Sequence, residues 1–494
     1  MKNTALISLV LIVTITFCLT AGCGKVHQPD TNTDPGEEEP IGTDDEETLI
    51  DPVVLYSIGQ NTLEYCFERN IVANESHGDT WAQYAADGTI GIVYRESSPT
   101  VPATPQSAPT EAYTGKLIYK TIKPDGTIDS EVVTTDNGAE MSVLVYDSQL
   151  QPHVFTASST DSDQVVRHYT RTGNNQWTGR EVFNFAGEDG KYLYEITALI
   201  DGDDAFHLLA LIIPNDPKAK STYYVAHIDS RMYYLTNKNG SWQKELVDRF
   251  DTLYIQDEYC KALRRQDMDM DAKGNLHIAY GALRGPSYNQ RPNPSEMRYA
   301  CNESGEWKSE VASAPWDVSC ECGWNPSIAV DNENRPHIAF SLIDRVPTLS
   351  AQNSKMQYAS RTAQGTWQEE TIADTANNYY GNDHGHFTGA IPHLVFDSEN
   401  HPHMVYADIA SSHYYPMGNT LNVGQLRYAF FNGTAWERKI FYRQDSPGSY
   451  RKVDEILALC MAASPDGSKI SIVAQEFISN GSKDTYNLLF FPVQ

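Results

Sequence analysis

Basic side chains are scarce in this chain of 494 residues: 37 Lys and Arg stand against 65 Asp and Glu, a formal net charge of -28. Nucleic-acid binding draws on clustered Lys and Arg that displace counterions from phosphates. No such cluster occurs, so no nucleic-acid partner is expected. Glycine-rich phosphate loops, dinucleotide fingerprints, serine-hydrolase elbows and paired CxxC zinc motifs are missing as well. Past Leu19 there is no long apolar run, which removes any further helical membrane span. What the chain has in quantity is Tyr (29), Gly (32) and Pro (25), a composition of strands and turns. Its length would fit about three average domains, but regular all-β rings exceed that size as single units.

The N-terminus reads as an address. Lys2 precedes an apolar stretch from Ala5 to Leu19, and Thr20, Ala21 and Gly22 lead to Cys23. That is the order of n-region, h-region and small-residue cleavage site. Cleavage before a cysteine resembles the bacterial lipoprotein signal, which implies residues 1–22 as signal peptide and Cys23 as the acylated residue that enters the lipid bilayer. Gly24 follows, so there is no Asp retention signal, and in a cell with two membranes the outer one is the expected anchor. Residues 23–51 hold few apolar side chains, and no Lys or Arg occurs between Lys25 and Arg69. Such a segment cannot bury enough surface to offset its ordering entropy, so a solvated acidic tether is expected.

Residues 52–494 are organised by a repeat. Asp271 and His277, Asp331 and His337, and Asp397 and His403 head three segments that align without gaps. Asp147 with His153 and Asp201 with His207 keep the same six-residue offset. Each full copy is followed by Tyr299, Tyr358 or Tyr428 before an Ala, then by a Gly and Trp turn such as Gly365 and Trp367. The unit is strand, tight turn, strand, variable loop, strand, Gly turn, strand, the pattern of a β-propeller blade. The fold class is therefore all-β, with seven four-stranded blades near 78–135, 139–185, 194–249, 264–313, 324–374, 389–443 and 456–491. Six or eight blades are the alternatives, because the first and last units lack the Asp and His. The seventh unit is one strand short, and Thr62 to Arg69 is expected to supply it, joining both chain ends in one sheet.

These repeats resemble those of secreted propeller proteins with sialidase-like, BNR-type repeats. The Asp-box Ser-x-Asp-x-Gly-x-x-Trp is not present in good form, and the nearest match to the early Arg-Ile-Pro of sialidases, Arg345 to Pro347, lies mid-chain. The resemblance thus implies architecture and not sialidase activity.

The repeated Asp and His read as structural: Asp accepts turn N–H groups and His fixes the next strand, since equivalent positions of successive blades are too far apart to share a metal. Asp267, Asp269 and Asp271 resemble a calcium loop, but alternation spreads them along one strand face. No metal and no cofactor are expected, with calcium, or a thiol metal site at Cys320 and Cys322, as the alternatives. The long connections all belong to one face, where a ligand should bind. The densest patch is Tyr379, Tyr380, Asp383, His384 and His386 with His413 and Tyr414, and Arg284 and Arg345 add cations. Aromatic planes with Arg, Asp and His suit a glycan or an envelope or surface protein. Related propellers include polysaccharide lyases, in which His or Tyr abstracts the proton next to a uronate carboxyl group; His384, His413, Tyr414 and Arg345 would take those parts. The expectation is a monomeric, non-catalytic binding protein of the cell envelope, with a lyase as the alternative. Cys260, Cys301, Cys320 and Cys322 are expected to form two bridges near blade 4, and Cys66 and Cys460 to meet in the closing blade.

Overall fold

The computed structural model describes residues 46–47, 49–61, 81–97, 115–135, 141–160, 163–185, 191–214, 226–254, 266–283, 295–314, 320–345, 352–374, 386–410, 425–443, 453–479 and 483–493. They form seven antiparallel four-stranded sheets in a β-propeller, with blades at 81–134, 141–184, 191–254, 266–313, 320–374, 386–443 and 453–492. Buried apolar residues of adjacent blades mesh between the sheets. Ile328, Ile338 and Phe340 of blade 5 pack on Ala279, Met297 and Tyr299 of blade 4.

Blade 7 takes its outer strand from the start of the chain, but from Val53–Asn61 rather than from Thr62 to Arg69, which lie outside the described residues. Val53 pairs with Phe490 and Asn61 with Lys483, antiparallel throughout. The physical reason is composition: residues 53–58 put Leu55 and Tyr56 against the blade 7 and blade 1 core, whereas 64–69 intersperse Glu64, Glu68 and Arg69. The propeller also begins earlier than position 52. Glu46–Glu47 pairs in parallel with Lys439 and Ile440 on the outer edge of blade 6. Ile50 donates its N–H to the Phe441 carbonyl at 2.8 Å and packs on the blade 6 and blade 7 core.

All seven first hairpins close with the same four-residue turn, from Ala85, Asp147, Asp201, Asp271, Asp331, Asp397 and Ser464 to a residue with positive φ three places on. These left-handed residues also join neighbouring turns. Asp204, Asn334 and Asn400 accept the N–H of Ser148, Ala272 and Asn332 in the preceding blade at 2.7, 3.0 and 2.8 Å. At the last position Gly467 offers its carbonyl to Ser398 N at 3.1 Å, and a Cβ there would stand 2.4 Å from that nitrogen. One face of the ring is thus a set of tight, mutually bonded turns.

Two cysteine expectations are corrected. Cys301 and Cys460 are buried thiols. The Cys301 sulfur accepts Glu303 N–H at 3.3 Å, and the Cys460 sulfur accepts Ala82 N–H at 3.3 Å across the blade 7 and blade 1 contact. Each sits in a strand packed against the neighbouring sheet. Cys66 and Cys260, and the side chains of Cys320 and Cys322, lie outside the described residues.

Candidate ligand-binding face

The repeat residues build a buried relay inside the middle blades. Asp331 Oδ1 accepts Glu333 N and Arg335 N at 2.9 and 2.8 Å, and its Oδ2 meets His337 Nε2 at 3.1 Å. His337 Nδ1 then meets Tyr358 Oη at 2.6 Å. An ionised carboxylate only accepts, so Nε2 carries the proton and Nδ1 accepts from the tyrosine hydroxyl. His207 with Asp201 and Tyr234 and His403 with Asp397 and Tyr428 repeat the chain. In blade 4 His277 Nδ1 meets Tyr299 Oη at 2.7 Å, while its Nε2 stands 3.6 Å from Asp271 Oδ2, an ion-pair distance without a hydrogen bond. Burial lowers the pKa of His207, His277 and His403, against the raising effect of their Asp partners.

A second set of contacts latches three blades to the ones before them. Trp177, Trp367 and Trp436 donate Nε1 to Glu131, Glu310 and Glu370 of the preceding blade at 3.0, 2.9 and 3.1 Å. Their rings meet Tyr119, Tyr299 and Tyr358 edge-on, with centroids 5.3, 5.2 and 5.0 Å apart. The conspicuous Gly and Trp signature of the sequence therefore holds blade to blade. Sequence reasoning saw its regularity but not its partner, because the Glu lies in the preceding unit.

Blade 2 departs from the pattern: His168 replaces the tyrosine, its Nε2 2.9 Å from His153 Nδ1 and its Nδ1 3.4 Å from Arg180 Nη2. Burial, then His153 and Arg180, push its pKa down to about 3. A histidine depressed from about 6.5 is neutral in the folded protein, so its contribution is complete above pH 6.5 and is lost as the pH falls from there towards 3. One such group changes stability by up to about 1.4 kcal/mol per pH unit. His168→Tyr, which restores the residue of the other relays, is expected to flatten the fall of the urea midpoint between pH 6.5 and 4.5; an unchanged slope would show that the titration lies elsewhere.

Two acids of the calcium-like run are engaged with blade 5, and the third with its own turn. Asp267 Oδ2 accepts Ser327 Oγ and Ile328 N, both at 3.0 Å, and Asp269 Oδ2 accepts Val330 N at 2.7 Å. Asp271 Oδ1 accepts Lys273 N at 2.9 Å and Asn275 N at 2.7 Å. Burial pushes Asp269 up to about 6 despite its N–H partners. Among the described residues no group of three or more His, Cys, Asp or Glu is arranged to hold a metal.

The opposite face receives the ends of the second strands and the starts of the first. Arg345 ends the second strand of blade 5, Pro336–Arg345, facing Gln352. His386 opens the first strand of the adjacent blade 6, His386–Phe396, facing Ala410. These two candidates therefore belong to one face of neighbouring blades. Tyr379, Tyr380, Asp383, His384, His413, Tyr414 and Arg284 lie outside the described residues. The framework tyrosines below this face are held as neutral hydroxyls. Burial raises Tyr94, Tyr280, Tyr299, Tyr358 and Tyr428 well above the ordinary phenol range. A general base needs a pKa near the working pH, so these buried side chains do not supply one.

No known family profile and no curated protein matches the chain. Among solved structures, a protein of unknown function from Dyadobacter fermentans DSM 18053 is similar at 10% identity and TM-score 0.44, covering 89% of this chain and 99% of its own. The polysaccharide lyase Uly1 is similar at 11% identity and TM-score 0.48, covering 90% and 100%. The α-L-arabinofuranosidase Arb93A from Fusarium graminearum follows at 11% identity and TM-score 0.40, covering 90% and 98%. At these identities and TM-scores the likenesses assign no activity.

Proposed function

We propose that this protein is a lipid-anchored binding propeller of the cell envelope, acylated at Cys23 and set on the outer membrane in a two-membrane cell, whose long-loop face takes a glycan. The observation that carries this reading is the asymmetry of the two faces. Every first-hairpin turn of one face is a short hydrogen-bonded unit, and four bonds tie successive turns together. On the other face, segments such as 98–114, 215–225, 284–294 and 411–424 separate the second and third strands. Chain length invested on one side of a rigid scaffold is the usual arrangement of a binding site. Stacking aromatics and hydrogen-bonding Arg, Asp and His in those segments suit sugar rings better than nucleic acid or anionic lipid.

The reading is tested on a glycan array. Tyr380→Ala and Tyr414→Ala are expected to weaken the binding of the captured glycan at least tenfold while the melting temperature holds. Unchanged binding in both folded variants would remove this face as the site. Incubation with uronate polysaccharides separates binding from elimination, because lyase action leaves a conjugated double bond that absorbs in the ultraviolet. No rise in absorbance is expected.

A further inference from the structure

Blade 1 lacks the Asp and His of the relay: Ala85 and Gly91 stand in their places. The neighbouring blade fills one of the two gaps. A Cβ on Gly91 would lie 2.1 Å from the hydroxyl of Tyr146, which reaches over from the first strand of blade 2. That hydroxyl meets Tyr119 Oη at 2.7 Å, where the other blades bring an imidazole to the tyrosine. The turn amide of Thr89 donates to Asp87 Oδ1 at 2.9 Å, two residues on from Ala85, so the turn is capped from a position further along the chain. Between the two blades, open to the turn face, a cleft of about 680 Å³ remains, lined by Ala85, Asp87, Tyr119, Tyr146, Lys123 and Arg171 among others. Its volume falls within the range of small-molecule sites, roughly 300–1,000 Å³.

We infer that this cleft is a binding site for an uncharged disaccharide, separate from the long-loop face. The charges around it are already matched: Lys123 lies 2.8 Å from Asp129, and Arg171 clasps Glu131 through Nε at 3.0 Å and through Nη2. Asp87, Asp129 and Glu131 against Lys123 and Arg171 leave one net negative charge, so an anion is repelled and no lining cation stands open to receive it. What the cleft offers is a mixture of donors and acceptors: two tyrosine hydroxyls with one hydrogen beyond their mutual bond, the Asp87 carboxylate, Thr89, Ser130 and Asn174. Sugar hydroxyls both donate and accept, which matches that mixture. Burial holds both tyrosines protonated, Tyr119 up to about 12 and Tyr146 well above the ordinary range, so the floor stays a pair of hydroxyls.

The test is saturation-transfer NMR on the whole mature protein with maltose, cellobiose and lactose, alongside glucuronic acid and glucosamine. Transfer to at least one neutral disaccharide is expected, with little to either charged sugar. Ala85→Asp, which restores the carboxylate of the five other blades, is expected to fill the cleft and weaken that binding at least tenfold while the protein stays folded. Tyr146→Phe, which keeps the shape and removes one hydroxyl, is expected to weaken it as well. Tyr380→Ala should leave it unchanged, which separates this site from the loop face. Transfer to no neutral sugar, transfer confined to a charged one, or binding indifferent to both cleft variants would each overturn the inference.

Discussion

Deleting residues 53–61 is expected to leave a protein that no longer unfolds in one cooperative transition and that aggregates at concentrations where the intact chain is soluble. The strand they form makes eight register pairs with Lys483–Pro492. It also brings Leu55 and Tyr56 onto the core that holds Ile92, Tyr94, Val473 and Leu488. Removing the hydrogen bonds of this ladder and that apolar cover costs on the order of 5–10 kcal/mol. Whole domains are stable by only about 5–15 kcal/mol. The strand Lys483–Pro492 would then present an open row of N–H and C=O groups next to apolar side chains, the template for edge-to-edge association. Calorimetry of the deleted protein, with and without a synthetic peptide of residues 49–61, checks this. Recovery of a single sharp transition on adding the peptide is the expected result, and a deleted protein that melts like the intact one would show that the ring does not depend on this strand.

Asp331→Ala is expected to cost about 3–5 kcal/mol, the range for removing one partner of a buried charged pair. Asp331 is 4% exposed and holds two turn N–H groups, Arg335 through Nε at 2.7 Å and Nη2 at 2.6 Å, and His337. Arg335 is partly exposed and can return to water, but the His337 Nε2–H and the turn amides stay inside. Asp331→Asn keeps an oxygen for the turn amides and should cost clearly less. Burial pushes the Asp331 carboxyl up, but the bonds from His337 and Arg335 prevail and hold it well below the ordinary carboxylate range. The stability it contributes is therefore complete above the unfolded value of about 4 and is lost only as the pH falls below that. Urea titrations of both variants at pH 7 and pH 3 check the two statements together: the gap between wild type and Asp331→Ala should narrow at the lower pH. Equal losses for Ala and Asn at pH 7 would show that the oxygen kept for the turn amides contributes nothing and that the charge accounts for the whole loss.

The propeller was legible because its framework is written within each unit. Asp331 caps its own turn, His337 stands six residues on, and Tyr358 answers from the third strand of the same blade. A six-residue offset repeated five times needs no knowledge of neighbours. What could not be read lies between units. Blade 1 gets its relay partner from Tyr146 of blade 2, and Tyr84 of blade 1 bonds Ser471 of blade 7 at 2.6 Å, so the two units without Asp and His are completed from outside themselves. Glu310 gives no local sign that it waits for Trp367 and Arg361 of the next blade. Cys460 likewise gives no local sign that its sulfur accepts the Ala82 N–H of the neighbouring blade. Which face carries the long connections was legible from segment length. Convergence of loop side chains depends on contacts that no spacing rule encodes.

The closing sheet also sets an order of events in time. Val53 pairs with Phe490, and 490 - 53 = 437 positions separate the two. A chain made from its N-terminus can therefore build six sheets from neighbouring segments while the strand Val53–Asn61 still has no partner. The ring shuts only after the strand Lys483–Pro492 has emerged. Contacts of such long sequence separation form slowly, because loop closure must precede the bonds that reward it. A stall or a stop codon just before Lys483 would leave six complete sheets and two strands, Val53–Asn61 and Ile470–Ser479, each with an unpaired edge.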